Sequence, residues 1–574
     1  MTDTTVARDL QAEPTPFDPR RWFTLTIVII AVLIVALDTT VLNVAIPTIL
    51  RDLHTTLPSL QWVITGYSLT FASLLIIGGR LGDLYGARRM FIIGAALFGA
   101  GSLLASVATS VTILIIGEAL IEGVGASLMM PATLGILSST FHGHERATAF
   151  AMWGAAAGAA VAFGPLIGGW LTTDYSWRWA FRINVIVAPA AILGALLLMR
   201  RSPRSADRER IDVPGAFLVA TGMFLLVFGL SEAARYGWWR SLDHFAVAGM
   251  RVSPVGGSLS AVPIAIALAF VLLGAFYVLE RWKERTARDP LFEFGQLRHR
   301  GFRYGLLTTM ILAMGQLGFL FVLPVFLQDA NHLSAVESGL WLLPSGISII
   351  VGTQIGARLT RSIGVTNVVR VGLIFEAAGL FAIWSAVSPH TTFVSLLPGL
   401  IVFGIGIGFA SSQLTNVVLS EIPDERSGAA SGANTTVRQV GAALGIAVIS
   451  GLLTSQTISH AIAGIRKAHL SAALQAHALA GLHANGVNFV APAGTPASDL
   501  AALHHTLDNA LASGSRSALL YAAGVVVIGA LLSWLIPTIP IERVPRRDEG
   551  YEDVESLGPV SGTTVEPTAA EWNG

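Results

Sequence analysis

The sequence contains no cysteine, and charged residues are scarce. Without cysteine, the 574-residue chain can form no disulfide, use no thiol in catalysis and offer no thiolate to a metal. Charged residues make up 13% of the chain, whereas soluble globular proteins carry about 25%. Hydrophobic residues make up 53%. This balance predicts an integral membrane protein.

Motifs for metal, phosphate and nucleic-acid binding are also missing. The histidines, including His504 and His505, have no acidic or cysteine companions at the spacing of metal ligands. No Gly-x-x-x-x-Gly-Lys loop occurs, and the formal net charge is zero. We therefore expect no enzyme activity, no metal site, no cofactor and no nucleic-acid partner.

Long apolar runs dominate the chain instead. Runs of about 20 residues mark fourteen candidate membrane spans. They centre near Ile34, Ser68, Leu97, Gly125, Ala159, Ala188, Met223, Ala269, Gln316, Ser348, Ala378, Gly406, Gly441 and Ile528. With the N-terminus in the cytoplasm, 26 of the 36 Lys and Arg residues fall in cytoplasmic tails and loops. The positive-inside rule therefore predicts a multi-pass protein of the cell membrane with both termini cytoplasmic.

The two halves of the chain resemble each other at a spacing of about 280 residues. Residues 80–86 align with residues 358–364, and Trp62 aligns with Trp341. Both members of each pair fall on one predicted side of the membrane, so the repeat is parallel, as in transporter halves related by an axis along the membrane normal. The predicted plan is a cytoplasmic N-tail (1–22), a six-helix N-terminal half (23–200), basic cytoplasmic loops with two inserted helices (201–302), a six-helix C-terminal half (303–540) and a disordered cytoplasmic tail (541–574).

A long extracellular loop, residues 455–515, interrupts the C-terminal half. Leucines at near-helical spacing suggest an interfacial helical hairpin, and a flexible spacer fits the sequence equally well. These leucines are Leu470, Leu474, Leu479 and Leu482.

Asp38 is an acid inside the first span. The span begins near Phe23, so Asp38 lies roughly 22 Å along the helix, within a hydrocarbon layer of about 30 Å. An ionisable group at that depth costs about 3 kcal/mol and indicates a proton, ion or ligand site that faces the protein interior. The structural alternative is an acid that caps a kink near Pro47.

The fourth span contains Glu118 and Glu122, one turn apart on one helix face. Two acids so close cannot both ionise comfortably in a low dielectric, so one of them should hold a proton. This predicts a proton-relay pair that attracts cations. The alternative is a pair of neutral carboxyls that tie helices together.

Arg438 and Glu376 also lie inside spans. A buried cation needs a counter-charge, and Asp38, Glu118 and Glu122 are the candidates for Arg438. Arg438 can equally be a structural lock on backbone carbonyls. We interpret Glu376 as a packing residue.

The loop between the second and third spans carries a compact motif of glycines and charges. Its glycines permit a tight turn, and Asp83 can face a helix N-terminus while the arginines offer further contacts. The motif resembles the loop signature of the major facilitator superfamily. We predict a cytoplasmic gate that forms in one transport state and opens in the other, built from Gly79, Arg80, Asp83, Gly86, Arg88 and Arg89.

The fifth span is rich in small residues, which allow helix backbones to approach closely, and it contains a helix-kinking proline. On physical grounds alone this run is a packing surface. It also resembles the antiporter signature of drug exporters in this superfamily. The residues concerned are Gly158, Gly164, Pro165, Gly168 and Gly169.

From about Arg21 to Ile536 the chain resembles the fourteen-helix drug:proton antiporter family. The resemblance includes Asp38 with Asn43, residues 177–184 and residues 431–439. It implies that Asp38 is a protonatable site in a central cavity. The chain departs from the family in the fourth span, where Ala119 replaces the usual arginine.

We expect an apolar, adaptable cavity around this site. Its predicted lining is Asn43, Trp62, Tyr67, Met129, Phe319 and Trp341. The resemblance implies a monomeric antiporter in contact with membrane lipids that exports amphiphilic, cationic drugs or toxic compounds in exchange for protons by alternating access. The alternatives are an exporter of an endogenous lipid, lipopeptide or self-made antibiotic, a membrane sensor or scaffold, and a nutrient importer.

Overall fold

The apolar runs form long helices in the structure, which is a computed structural model. It describes residues 19–55, 57–141, 143–200, 211–241, 245–247, 250–253, 259–286, 288–423, 426–468, 470–485 and 495–538. The predicted C-terminal tail, most of the predicted N-tail and the basic segment 201–210 therefore lie outside the described residues.

The N-terminal half contains six helices, followed by an inserted pair. The six are α1 (Arg21–Asp52), α2 (Leu57–Tyr85), α3 (Ala87–Ser106), α4 (Val111–Thr140), α5 (Gly143–Asp174) and α6 (Trp179–Leu198). The inserted pair is α7 (Val213–Ser231) and α8 (Ala261–Arg285). Between them lie a single turn (Ala233–Tyr236) and the antiparallel strands β1 (Phe245–Val247) and β2 (Met250–Ser253).

The C-terminal half contains seven helices, one of them short. They are α9 (Arg300–Ala330), α10 (Ala335–Ile363), α11 (Val365–Ala386), α12 (Phe393–Leu419), α13 (Ser427–Lys467), α14 (Ala472–Asn485) and α15 (Ala497–Ser533). A 3-10 turn, Phe294–Arg298, precedes α9.

Thirteen helices among the described residues are long and apolar enough to cross a membrane. The fourteenth predicted span, near Ala159, falls on α5, which is not among the thirteen and has several side chains outside the described residues. With 32 residues, α5 exceeds the length of about 20 residues that a bilayer requires. The fold is therefore an all-α membrane bundle, as the sequence predicts.

Contacts between the halves are concentrated where small residues meet. Gly154 of α5 faces Ser412 of α12, and Gly79 of α2 lies against the backbone of Gly428 in α13. At the end of the bundle that we predict to be cytoplasmic, Arg146 also donates to the Leu419 carbonyl, 3.0 Å away. The halves are thus joined at that end in this conformation.

The inserted pair packs on both halves. Helix α7 contacts α2 and α13 as well as α8. Trp62 stacks on Phe228 with ring centroids 6.2 Å apart, and the Thr65 hydroxyl donates to Glu232 across 3.0 Å. Burial raises the pKa of the Glu232 carboxyl above its usual value. Helix α7 therefore covers the junction of α2 and α13.

An ionic cluster holds the inserted pair together at the predicted cytoplasmic end. Lys283 pairs with Asp212, the N-cap of α7, and lies 3.5 Å from Glu280. Glu280 in turn accepts from the Phe292 backbone N–H at 3.0 Å. Burial opposes ionisation of Asp212, but hydrogen bonds with Glu280, Lys283 and the Gly215 N–H together hold its pKa below the ordinary 3.8. The stabilisation from ionised Asp212 is therefore present above pH 3.8 and lost as the pH falls through the lowered pKa.

The described part of the long loop 455–515 is helical. Helix α13 continues to Lys467, α14 follows, and α15 begins at Ala497. Leu474 and Leu482 are buried in a small hydrophobic cluster, with Leu470 and Leu479 packed against it. Between the two alternatives for this segment, the structure favours the helical hairpin.

We predict that Lys283→Met destabilises the protein, because two buried carboxyls lose their cation. Breaking a buried ion pair costs about 3 to 5 kcal/mol, so the apparent melting temperature of the purified protein should fall. Adding Asp212→Asn should recover much of the loss by removing one uncompensated charge. Arg281→Met is the matched control on α8, because Arg281 is more exposed and pairs with Glu284 at the same i,i+3 spacing. Equal melting temperatures for the two methionine variants would contradict the prediction.

Candidate functional site

The acids that the sequence singles out in the first and fourth spans meet inside the bundle. Asp38 comes from α1, and Glu118 and Glu122 come from α4. One carboxylate oxygen from each lies within 4.8 Å of the others. Their exposed fractions are 3%, 0% and 0%. We call these three residues the acid cluster.

Helix α4 presents its two acids from a π-helical segment, Ile115–Glu122. The i→i+5 bonding of a π-helix widens the turn and is frequent at functional sites. Gly101 of α3 allows the close approach of this segment, since a methyl group there would lie 2.6 Å from the Gly117 carbonyl oxygen and 2.9 Å from Cβ of Glu122. A larger residue at this position would push α4 away from α3.

Two polar residues hold the cluster in place. The Asn184 amide of α6 donates to Asp38 Oδ1 at 2.9 Å and to Glu122 Oε1 at 3.2 Å. The Ser102 hydroxyl of α3 donates to the same Glu122 oxygen at 2.7 Å. Neither Asn184 nor Ser102 is among the site residues predicted from the sequence. A polar side chain inside an apolar span is the signal that could have found both.

The acid cluster has an excess of negative groups. Among the described residues, no donor from outside the cluster bonds to Asp38 Oδ2, to either Glu118 oxygen or to Glu122 Oε2, so these carboxyls can only share protons with one another. The buried Tyr67 hydroxyl nearby has no hydrogen-bond partner. No described Lys or Arg forms an ion pair with the three acids. Several adjacent anions cannot persist in a low dielectric. The cluster must therefore hold protons or receive a cation, and its all-oxygen ligands would suit an organic ammonium or a hard metal ion.

Arg438 does not pair with the acid cluster, which corrects one of the two interpretations from sequence. It lines a recess in the C-terminal half with residues of α9 and α12. Its guanidinium lies 5.8 Å from the ring centroid of Trp153 in α5. The acids of the cluster are instead held by Asn184 and Ser102.

Asp83 joins the two halves at the predicted cytoplasmic end. Its two carboxylate oxygens accept the backbone N–H groups of Gly428 and Ala429, each at 2.7 Å. These N–H groups belong to the first turn of α13, where the helix dipole favours a negative charge. The second copy of the motif has Arg361 at the corresponding position, and Arg361 is exposed.

The other residues of this loop motif serve the turn and the N-terminal half. Gly86 has φ 92°, a backbone conformation that favours glycine. Arg88 donates to the Ala195 and Leu196 carbonyls at 2.9 and 2.7 Å, at the end of α6. Arg80 is buried and Arg89 is exposed.

The glycines of the predicted antiporter motif in α5 face two different helices. Gly164 lies against Thr40 and Gly168 against Val41, in the turn of α1 that follows Asp38. Gly158 faces Ile349 of α10 in the other half, and Gly169 is buried. The side chain of Pro165 lies outside the described residues. The small residues thus allow α5 to approach α1 next to the acid cluster.

The predicted cavity residues are not all brought together. Tyr67 adjoins the acid cluster, whereas Trp62 stacks on Phe228 of α7. Met129 and Phe319 are fully buried in separate hydrophobic cores, and Trp341 packs edge-on against Phe393. The side chain of Asn43 lies outside the described residues. In this conformation Met129 and Phe319 act as core residues, because their side chains have no exposed surface.

Comparison with known proteins gives consistent results. A family model described as Major Facilitator Superfamily matches residues 28–446. A puromycin resistance protein of Streptomyces alboniger is 34% identical over 77% of this chain and 84% of its own length. The tetracenomycin C resistance and export protein of Streptomyces glaucescens is 31% identical over 92% of this chain and 94% of its own. The crystal structure of the human organic anion transporter MFSD10 has the same fold, with a TM-score of 0.56, 13% identity and coverage of 90% of this chain and 99% of that one.

We predict that Asp83→Asn opens the predicted cytoplasmic end. Hydrogen bonds to a charged group contribute about 1.5 to 3 kcal/mol, so the closed population should fall by about 10-fold or more. Because the chain has no cysteine, spin labels can be placed on single cysteines that replace the exposed residues Tyr85 and Ser420. Double electron–electron resonance should then show longer distances.

The control for this measurement is Glu145→Gln. Glu145 binds Arg21 at 2.8 Å within the N-terminal half, so its loss should leave the distance distribution between the halves unchanged. An unchanged distribution for Asp83→Asn would contradict the gate.

Proposed function

The chain belongs to the major facilitator superfamily and resembles its fourteen-helix drug exporters, and from this premise we propose that it exports amphiphilic, cationic compounds in exchange for protons. The observation that carries the proposal is the acid cluster, which is buried and has no cationic partner among the described residues. A transporter of this class moves its substrate and is not an enzyme.

Charge balance supports competition between proton and substrate at the acid cluster. Ionised carboxylates in a low dielectric need a counter-charge, which either a bound proton or a substrate ammonium supplies. Protonation from outside would remove the charge that holds the substrate and so release it. Loss of the proton to the cytoplasm would restore the site. Exchange follows because the two cations neutralise the same negative groups.

The placement of the cluster supports alternating access. The three acids and the two residues that hold them, Asn184 and Ser102, all belong to the N-terminal half, in α1, α3, α4 and α6, so rocking of the halves would carry the site as a unit. Asp83 and Arg146 cross to the C-terminal half at one end only, the predicted cytoplasmic end. Breaking those contacts would expose the site to that side.

The relatives support drugs or antibiotics as the substrate class. Their names specify resistance to or export of puromycin and tetracenomycin C, and the 28% identical MdtP of Bacillus subtilis is named a multidrug transporter. Names that specify one antibiotic favour a second candidate, the export of one self-made antibiotic. The same acid cluster would serve either substrate range. We propose that the protein works as a monomer in the cell membrane, since nothing in the sequence demands an oligomer. Both termini would be cytoplasmic, as the Lys and Arg distribution predicts.

The test is proton flux in liposomes that contain the purified protein under an imposed pH gradient. Ethidium should trigger proton movement with the wild-type protein. Asp38→Asn should reduce this flux by about 100-fold or more, because a buried cation that loses its carboxylate partner loses several kcal/mol of binding free energy. Glu118→Gln and Glu122→Gln should also lower coupling.

The matched control is Asp52→Asn. Asp52 lies on the same helix, near its end, where it accepts from the Trp177 indole at 2.9 Å and is partly exposed. Ethidium-triggered flux should persist in this variant. Full flux in each of the three acid-cluster variants would overturn the proposal.

A further inference from the structure

Arg438 is a cation that the proposed exchange cycle does not use. It lines a recess with an enclosed volume of about 10 Å³, room for about one water-sized group, and the remaining empty space, about 230 Å³ in all, includes open solvent. The other lining residues are Thr309, Leu312, Ala313 and Gln316 of α9 and Ser411, Leu414 and Thr415 of α12. Both helices therefore contribute polar as well as apolar side chains to the recess.

The guanidinium has no carboxylate partner among the described residues. The carboxyl linked most closely to the recess is that of fully buried Glu376, which accepts from the Gln316 amide at 3.2 Å. The same amide donates to the Ser411 hydroxyl at 3.1 Å. Gln316 thus lies between Glu376 and the recess. Its amide already donates to two protein groups, Glu376 and Ser411.

Trp153 of α5 makes a cation–π contact with the guanidinium of Arg438. Its ring centroid lies 5.8 Å away, and its indole N–H donates to the Thr133 hydroxyl at 3.1 Å. A cation–π contact at this distance uses none of the in-plane N–H donors of the arginine, which leaves them available for a planar, bidentate acceptor. Carboxylate is the acceptor that matches this geometry.

We propose that the recess at Arg438 binds a carboxylate or equivalent anionic group of the transported compound. This inference rests on the proposed function and extends its substrate class from amphiphilic cations to zwitterions and organic anions. The acid cluster lies in the N-terminal half and the recess in the C-terminal half, so the two ends of a zwitterion find opposite charges on opposite halves. The apolar lining residues, Leu312 and Leu414, suit the hydrocarbon part next to that group.

The test compares two dyes that differ in one group, a rhodamine with a free carboxyl and the methyl ester of the same dye. Binding to the purified protein is measured by fluorescence anisotropy. Arg438→Gln should weaken binding of the free-carboxyl dye by about 10-fold or more and leave binding of the ester within about 2-fold. Arg438→Lys keeps the charge and loses the bidentate fork, so it should show an intermediate loss.

Arg516→Gln is the matched control. Arg516 also lies over a tryptophan ring, that of Trp384 at 5.0 Å, and is not among the lining residues of the recess. It should leave the affinities for both dyes unchanged. Thermal unfolding of each variant separates loss of the site from loss of the fold. Equal effects of Arg438→Gln on the two dyes, including no measurable binding of the free-carboxyl dye by the wild type, would overturn the inference.

Failure of this inference is distinguishable from failure of proton exchange. Asp38→Asn should abolish ethidium-triggered proton flux whether or not the recess binds anions. Loss of carboxyl selectivity with intact ethidium flux would overturn only the role of Arg438. Carboxyl-selective binding with no proton coupling would overturn only the exchange mechanism.

Discussion

Three carboxyl groups share one site inside an apolar bundle, and the free energy of burying them constrains the structure around it. Water would solvate these groups at low cost, but the hydrocarbon layer offers none. The protein replaces solvent with Asn184 and Ser102, each held on a different helix. Those bonds satisfy one oxygen of Asp38 and one of Glu122, and the remaining oxygens depend on a proton or a bound cation. The site is thus incomplete without its ligand.

Close backbone packing makes this arrangement possible. Helices α3 and α4 approach at Gly101 and Gly117, and α1 and α5 approach at Gly164. In a membrane, where lipid tails are as apolar as the helices, van der Waals contact between small residues drives much of the helix association. The glycine-rich run of α5 is therefore well explained as packing next to Asp38. Any role in the direction of transport would act through this contact.

The sequence predicts much of the fold, because its apolar runs and its charge distribution each follow from the physics of a bilayer. The intramembrane acids also stand out, since an ionisable residue in an apolar run is costly and conspicuous. The π-helical segment Ile115–Glu122 could not be predicted, because the run around it is apolar on most faces and a widened turn leaves no visible mark in such a pattern. The sequence left two interpretations of Arg438 open, a counter-charge to the acid cluster and a structural lock, and could not exclude the first for a related reason. Depth in the membrane can be counted along one helix, but the direction in which a side chain points relative to other helices depends on tertiary packing.

Residue type alone does not distinguish core residues from residues that line a cavity. Met129 and Phe319 belong to the residue types that line adaptable pockets, yet both are enclosed in the cores of this conformation. Tyr67 is buried as well, but it lies close to the three acids of the cluster. A transporter must rearrange the contacts between its halves. The residues that indicate a ligand site are therefore those whose polar groups find no hydrogen-bond or ionic partner within their own half. By that criterion the acid cluster stands out, and Arg438, which has no carboxylate partner among the described residues, places the opposite charge on the other half. Because rocking of the halves changes the separation of the two sites, a compound that contacts both would bind one conformation better than the other, which is the differential binding that a ligand needs in order to shift a conformational equilibrium.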